Sequence, residues 1–243
     1  MGFQEWLRIN GFIMMCAALK RFTGVFVGEI LSTLLLFSFM QPKKARIQSG
    51  QRIPRGSLVF FGTSMSVKAL SHALIPDHCG VPWLWFGLHC FIFELVFDLF
   101  HYWMHRLMHS HKCLYRFHRV HHVYKAPSAL TTFHIDPLDL VLSYSIPLFF
   151  TCYLFPCSSL QLSILSTYLT YQEISGHLGL KMAPTSCFAQ CIWVPRKLGI
   201  ELYTEDHDLH HREPGVNFSK RFSLWDRLHG TFKPGNPQVD HEP

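Results

Sequence analysis

The sequence predicts an all-α fold: an integral membrane protein with about four transmembrane helices and a helical, histidine-rich cap that holds two metal ions. Three observations lead there. Apolar residues make up 49% of the 243 positions and fall in long runs. Charged residues reach only 16%, well under the roughly 25% of ordinary soluble domains. The 17 histidines are concentrated in a few tight clusters. This composition excludes a disordered chain, a coiled coil and a collagen-like fibre.

The apolar runs come in order. Residues 9–19 are too short to span a bilayer and read as an interfacial or buried helix. Residues 22–40 carry a single acid, Glu29, and are long enough for a spanning helix. Residues 41–56 form a polar loop with Lys43, Lys44, Arg46, Arg52 and Arg55. Residues 57–75 are a weaker span because Lys68 falls near the middle, and 76–80 make a short turn. Residues 81–100 are a strong span that ends with Glu94 and Asp98. Residues 140–170 contain no charge, but Pro147 and Pro156 divide them, which predicts a helical hairpin rather than one long helix. The organisation expected is a membrane region at 1–96, a histidine-bearing region at 97–232 that includes the 140–170 hairpin, and a tail at 233–243.

Orientation follows from the basic loop. Five Lys and Arg between the first two spans place that loop in the cytosol. Counting spans from there puts His101 and everything after about Tyr171 on the cytosolic face as well. The net charge of +6 is modest, and its Lys and Arg read as membrane flanks rather than a nucleic-acid surface. Arg8, Lys20 and Arg21 interrupt any cleavable leader pattern, and position 6 is not the Ser or Thr that myristoylation of Gly2 needs. The eight cysteines show no C-x-x-C and read as reduced, mostly buried thiols.

The chemistry lies in the histidines. His101, His105 and His109 are spaced i, i+4, i+8, three residues after Asp98, and form one stripe on a helix. His118, His121 and His122 form an H-x-x-H-H box, and His207, His210 and His211 form a second. On a helix each box shows one face. Isolated His72, His78, His89 and His241 read as ordinary surface or core residues. Burying so many imidazoles without partners would cost roughly 1–3 kcal/mol each, so clusters on one membrane face point to metal. There are more ligands than one ion accepts, which predicts two ions. A donor set rich in nitrogen and free of Cys suits redox iron and O2 better than structural zinc, although zinc can occupy such a site in purified protein.

The H-x-x-x-H, H-x-x-H-H, H-x-x-H-H series resembles the fatty acid hydroxylase/sterol desaturase superfamily. So does the ending Asn217-Phe218 with Leu224-Trp-Asp-Arg-Leu-His-Gly-Thr231, and the resemblance covers about 97–232. It implies an endoplasmic-reticulum-type, non-haem di-iron oxygenase that hydroxylates a sterol, sphingoid or fatty acyl C–H bond. Its electrons would come from a cytochrome b5-type donor and its reductase, and a desaturase with the same centre is the alternative. The resemblance maps both H-x-x-H-H boxes onto ligands, adds His177 as a lone mid-chain ligand and leaves His134 open. It does not say which of His101, His105 and His109 is spare. Glu173, Asp98 and Asp208 are expected to orient ligand rings, while Trp225, Asp226 and Arg227 are expected to pack and pair to close the cap. A reading of a different class is a His-rich membrane metal-binding or transport protein, which predicts histidines or acids within the spans.

Overall fold

The computed structural model describes residues 3–40, 56–181 and 193–235, and among them the chain is helical with no strand. The basic loop that orients the sequence prediction and His241 both lie outside the described residues. Helix α1 (Phe3–Thr23) and helix α2 (Val25–Phe39) replace the short buried helix and first span of the sequence reading. The break falls at Gly24, whose φ of 80° is open to glycine and strained for side chains. The turn brings Lys20 of α1 onto Glu29 of α2 at 2.8 Å, with both side chains buried. The second helix closes tightly on the first: a Cβ at Gly28 would lie 2.4 Å from the Lys20 Cα.

Helix α3 (Ser57–Leu74) has the expected bounds within a residue or two. Its Lys68 does not face lipid. The ammonium group bonds Glu173 at 2.7 Å and Thr170 at 2.9 Å. Helix α4 (Trp83–Ser110) runs a full 28 residues, so it carries the span and the first histidine stripe on one rod about 42 Å long. Helix α5 (Lys112–His118) follows a bend at His111.

Two helical arms occupy the segment expected to form a hairpin, and the first of them is long and apolar enough to cross a membrane. One arm is α6 (Pro137–Leu140), a wide π turn at Val141–Ser145, and α7 (Ile146–Leu154). The other arm is α8 (Ser159–Gly176), opened by a capping box of Ser158 and Gln161. Pro147 does not break the first arm, because it stands in the opening turn of α7, where a missing N–H costs little. Short helices α9 (Trp193–Lys197), α10 (Thr204–Arg212) and α11 (Leu224–Leu228) follow among the described residues.

Among the described residues two helical rods, Trp83–Ser110 and Pro137–Leu154, are long and apolar enough to cross a membrane, and Val25–Phe39 is a shorter apolar helix. Large apolar side chains such as Leu58, Leu84, Trp85, Phe150 and Tyr153 point outward, the pattern of a surface solvated by lipid rather than water. The core joins Ile9, Ile13 and Ala17 of α1 to Phe93 and Phe97 of α4, Leu148 of α7, and Leu162, Ile164, Leu165, Tyr168 and Leu169 of α8. The N-terminal helices therefore share one core with the histidine-bearing segments.

Candidate metal centre

Four segments bring histidines to one place: the end of α4, the α5 region, the end of α8, and α10. The first stripe is helical as expected. The second box is not on one helix: α5 stops at His118, and His121 and His122 begin a separate tight turn. The third box lies wholly on α10. Nine imidazoles sort into two groups, each with ligand atoms within 4.8 Å of one another. The first is His105, His109, His118, His122 and His210, and the second is His121, His177, His207 and His211. Each H-x-x-H-H box is thus divided: its i and i+4 members go to one group and its i+3 member to the other. The groups adjoin, with the rings of His122 and His211 4.7 Å apart.

The partners of the ring nitrogens fix the tautomer of four of these histidines. The His105 Nδ1 donates to the Phe218 carbonyl at 2.7 Å and His210 Nδ1 to the Val216 carbonyl at 2.7 Å. His118 Nδ1 donates to Asp139 at 2.8 Å and His177 Nδ1 to the Glu173 carbonyl at 2.7 Å. Each partner only accepts, so Nδ1 carries the proton and Nε2 presents a lone pair. Those Nε2 atoms converge. His105 and His118 are 3.0 Å apart, His105 and His109 3.3 Å, and His118 and His122 3.0 Å. In the second group His177 lies 3.1 Å from His121 and 3.0 Å from His207. The His105 and His118 lone pairs repel at that distance unless a cation sits between them, and the other rings can turn a lone pair to the same point because nothing holds their proton on Nε2. Ligands about 2.1 Å from an ion stand about 3.0–3.4 Å from one another, so the spacing fits a bound metal in each group.

Electrostatics agree. Burial first, then neighbouring imidazoles, holds His121, His122, His177, His207, His210 and His211 well below the ordinary imidazole range, with the Lys220 ammonium adding to the effect on all but His122. They are neutral at physiological pH, the form that binds metal. Burial, with the nearby charges secondary, also pushes Lys220 down to about 8. Lys220 had no signal in the sequence beyond being one more basic residue.

The remaining expected residues are placed differently from one another. His101 lies outside both groups: its Nδ1 donates to the Ser143 carbonyl at 2.8 Å, and its Nε2 has no hydrogen-bond partner. The π turn aims that carbonyl toward α4, and such turns favour functional sites. His134 is also apart, with its ring 4.2 Å from Phe60 and 5.0 Å from Tyr124. Glu173 steers His177 with its backbone carbonyl, while its carboxylate binds Lys68. Asp208 accepts from Arg212 at 3.1 Å. Asp98 does not orient a ring. It accepts the backbone N–H groups of Lys220, Arg221 and Phe222 at 2.9, 3.0 and 2.9 Å.

That loop supports two of the clustered histidines. Asn217 takes a left-handed backbone, φ 54°, a conformation Asn tolerates better than most residues. Its side chain ties Asp206 and Lys233 together. The carbonyls on either side of it, Val216 and Phe218, then hold His210 and His105. Asp226 secures the same loop through the N–H groups of Phe218 and Ser219 at 2.8 Å each, and Trp225 donates to the Leu95 carbonyl. The Trp-Asp-Arg run closes the cap as its composition suggested. Asp139, the carboxylate behind His118, escaped the sequence reading, because its partner is 21 residues away and no spacing rule links them.

The fold and site define a helical protein with apolar rods and two adjoining all-histidine clusters, each able to hold a metal ion. The chain belongs to the fatty acid hydroxylase family, whose model matches residues 90–231. It is similar to the fatty acid hydroxylase vlmA of Lecanicillium sp., at 36% identity over 61% of this chain and 43% of that protein. It is 31% identical to the C-4 methylsterol oxidase erg25 of Schizosaccharomyces pombe over 56% of this chain and 44% of that protein. It is also 31% identical to human lathosterol oxidase, over 56% and 42%. The chain spans less than half the length of these relatives. No solved structure matches it.

Proposed function

We propose that the protein is an integral membrane di-iron monooxygenase that hydroxylates a C–H bond of a lipid: a sterol, a sphingoid base or a fatty acyl chain. The observation that carries this is the pair of adjoining nests whose Nε2 atoms converge at 3.0–3.3 Å beside lipid-facing helices. Five imidazoles in one nest and four in the other leave open positions on six-coordinate ions. A redox pair of irons would supply the oxidising power when bound, and zinc can replace it in purified protein. In balance, R–H, O2, two electrons and two protons give R–OH and water.

The chain's own residues do the rest. Asp139 and the Phe218, Val216 and Glu173 carbonyls fix the ligand tautomers. The buried helices exclude water and admit lipid from the side. Residues 97–232 form the catalytic region, 1–96 the membrane region that shares its core, and 233–243 a tail. The basic loop at 41–56 supports endoplasmic-reticulum membrane insertion with the histidines on the cytosolic face. There a cytochrome b5-type donor and its reductase would deliver electrons.

A second reading, desaturation at the same centre, is supported by 28% identity to the Delta(7)-sterol 5(6)-desaturase ERG3A of Gibberella zeae, over 63% of this chain and 40% of that protein. The experiment is mass spectrometry of a lipid panel after reaction of the reconstituted protein with an electron donor. A product 16 mass units heavier supports hydroxylation and one 2 units lighter supports desaturation. No product with a fully metal-loaded protein would move the metal-transport reading ahead.

A further inference from the structure

At the end opposite the histidines, the link between the two arms of the 137–176 segment brings two cysteines together. Cys152 lies in the last turn of α7, and Cys157 stands just before Ser158, the cap of α8. In an unbroken helix, residues five apart point about 140° away from each other. Here they meet, because the helix stops. Phe155 leaves helical geometry at φ −128° and ψ 75°, and Pro156 follows, which blocks any extension. The chain folds Cys157 back onto Cys152. The two thiols are hydrogen-bonded to one another, and both are buried in the main apolar core.

The pair sits where α4 begins. Ser159 donates its backbone N–H to Asp77 at 2.7 Å, and the Gln161 side chain exchanges two hydrogen bonds with Val81, at 3.0 and 2.6 Å. These contacts pin the start of α8 to the loop just before Trp83. The histidines stand at the far end: the 18 residues of α8, about 27 Å, separate Cys157 from His177. The proposed topology, with the histidines cytosolic, puts the cysteine pair at the lumenal face. There thiols meet an oxidising compartment. A lone buried cysteine packs as a small hydrophobe, but two in contact at that face have a further chemistry.

We propose that Cys152 and Cys157 are a modification site, joined as a disulfide that clamps the link between α7 and α8. This rests on the proposed topology. The reaction is thiol–disulfide exchange, with a lumenal dithiol–disulfide oxidoreductase as the oxidant. One cysteine thiolate attacks the disulfide of that enzyme and forms a mixed disulfide. The second thiolate attacks the mixed disulfide, forms the Cys152–Cys157 bond and releases the enzyme as a dithiol. The pair gives up two protons and two electrons, and the enzyme's two sulfurs take up both electrons. Exchange takes place as the segment inserts, before packing covers the pair, and burial then shields the bond from reductant. The clamp joins the two arms that serve the nests: Asp139 stands in the first arm and His177 ends the second.

The test is differential alkylation of the full-length protein in sealed microsomes. Acid-quenched, denatured protein is blocked with N-ethylmaleimide, reduced, and labelled with deuterated N-ethylmaleimide, and each cysteine is read by peptide mass spectrometry. Cys152 and Cys157 are expected to carry the second label in most molecules, and Cys113 the first. Without the reduction step, the peptide that holds both is expected to be unlabelled and lighter than its dithiol form by two hydrogens. A phosphine reductant is expected to lower the Tm of the purified native protein by about 4–9 °C, the scale for closing so short a loop. It is expected to leave the Cys152→Ala, Cys157→Ala double variant unmoved. The first label on both cysteines of the native protein, a bond from either to a different cysteine, or no Tm response beyond that of the variant would overturn the proposal. Alkylation is read on the native protein, so a variant that fails to fold leaves the proposal refutable. An impermeant maleimide on the same microsomes reports Cys79, and with it the topology, separately. A reduced pair with Cys79 protected overturns the disulfide alone, and a reduced pair with Cys79 labelled from outside overturns both. An oxidised pair with Cys79 labelled from outside upholds the disulfide and overturns the topology.

Discussion

Replacing Lys68 with methionine removes one half of an ion pair that sits inside the helical core. The native ammonium lies 2.7 Å from Glu173 and 2.9 Å from Thr170, with the Lys68 side chain at 0% exposure. Its charge also lies 4.9 Å from the Tyr144 ring and 5.1 Å from the Phe133 ring. Met fills similar volume, so the cost is electrostatic rather than a cavity. Glu173 is left as a buried carboxylate with its cation gone, a change worth about 3–5 kcal/mol. For a chain of this size that lowers Tm by about 6–20 °C. The Lys68→Met, Glu173→Gln double variant removes both charges and is expected to recover more than half of the loss. The assay is thermal unfolding of the detergent-solubilised protein, with metal content measured in parallel because the Glu173 backbone holds His177. A single variant that loses less than about 1 kcal/mol, or a double variant no better than the single, refutes the reasoning.

Three further outcomes are expected. Asp139→Ala, which frees His118 Nδ1, weakens metal binding in the first nest about 10–100-fold, so graded chelation leaves one equivalent where the native protein holds two. Asp139→Asn, which keeps an acceptor, loses less, and equal loss by both variants would count against the hydrogen bond. Acid weakens the metal-free fold: burial keeps the nest imidazoles neutral while the unfolded chain takes up their protons below about pH 6.5. The unfolded state then binds more protons, so Tm falls as pH drops through that value, and a flat profile would exclude the effect. Cys79 and Cys113 are both exposed and stand just beyond opposite ends of α4, so they report opposite membrane faces. In sealed microsomes an impermeant maleimide is expected to label Cys113 and spare Cys79 in single-cysteine variants, and the reverse would invert the proposed topology.

The residues explain what the sequence could disclose. The histidine stripe and boxes were legible because ligand spacing is local, and helices α3, α4 and the 140–170 hairpin were legible because apolar length is local too. Their division was not. The i, i+3, i+4 pattern reads as one helical face, but the turn after α5 rotates His121 away from His118, and on α10 the i+3 ring of His210 turns to the other nest. Gly24 was hidden inside an apolar run, where nothing shows that its φ is positive. Lys68 looked like a flaw in a span because its partner is 105 residues away. Asp139 was invisible for the same reason: its role depends on the His118 ring that packing sets beside it, and sequence spacing carries no trace of that.

The central claim is that two adjoining nests each hold an ion, and metal quantification of the iron-reconstituted, full-length protein tests it most directly. The account predicts two equivalents in the native protein and one in each of two variants, His109→Ala from the first nest and His211→Ala from the second. One equivalent or fewer in the native protein, or two retained in both variants, would contradict it.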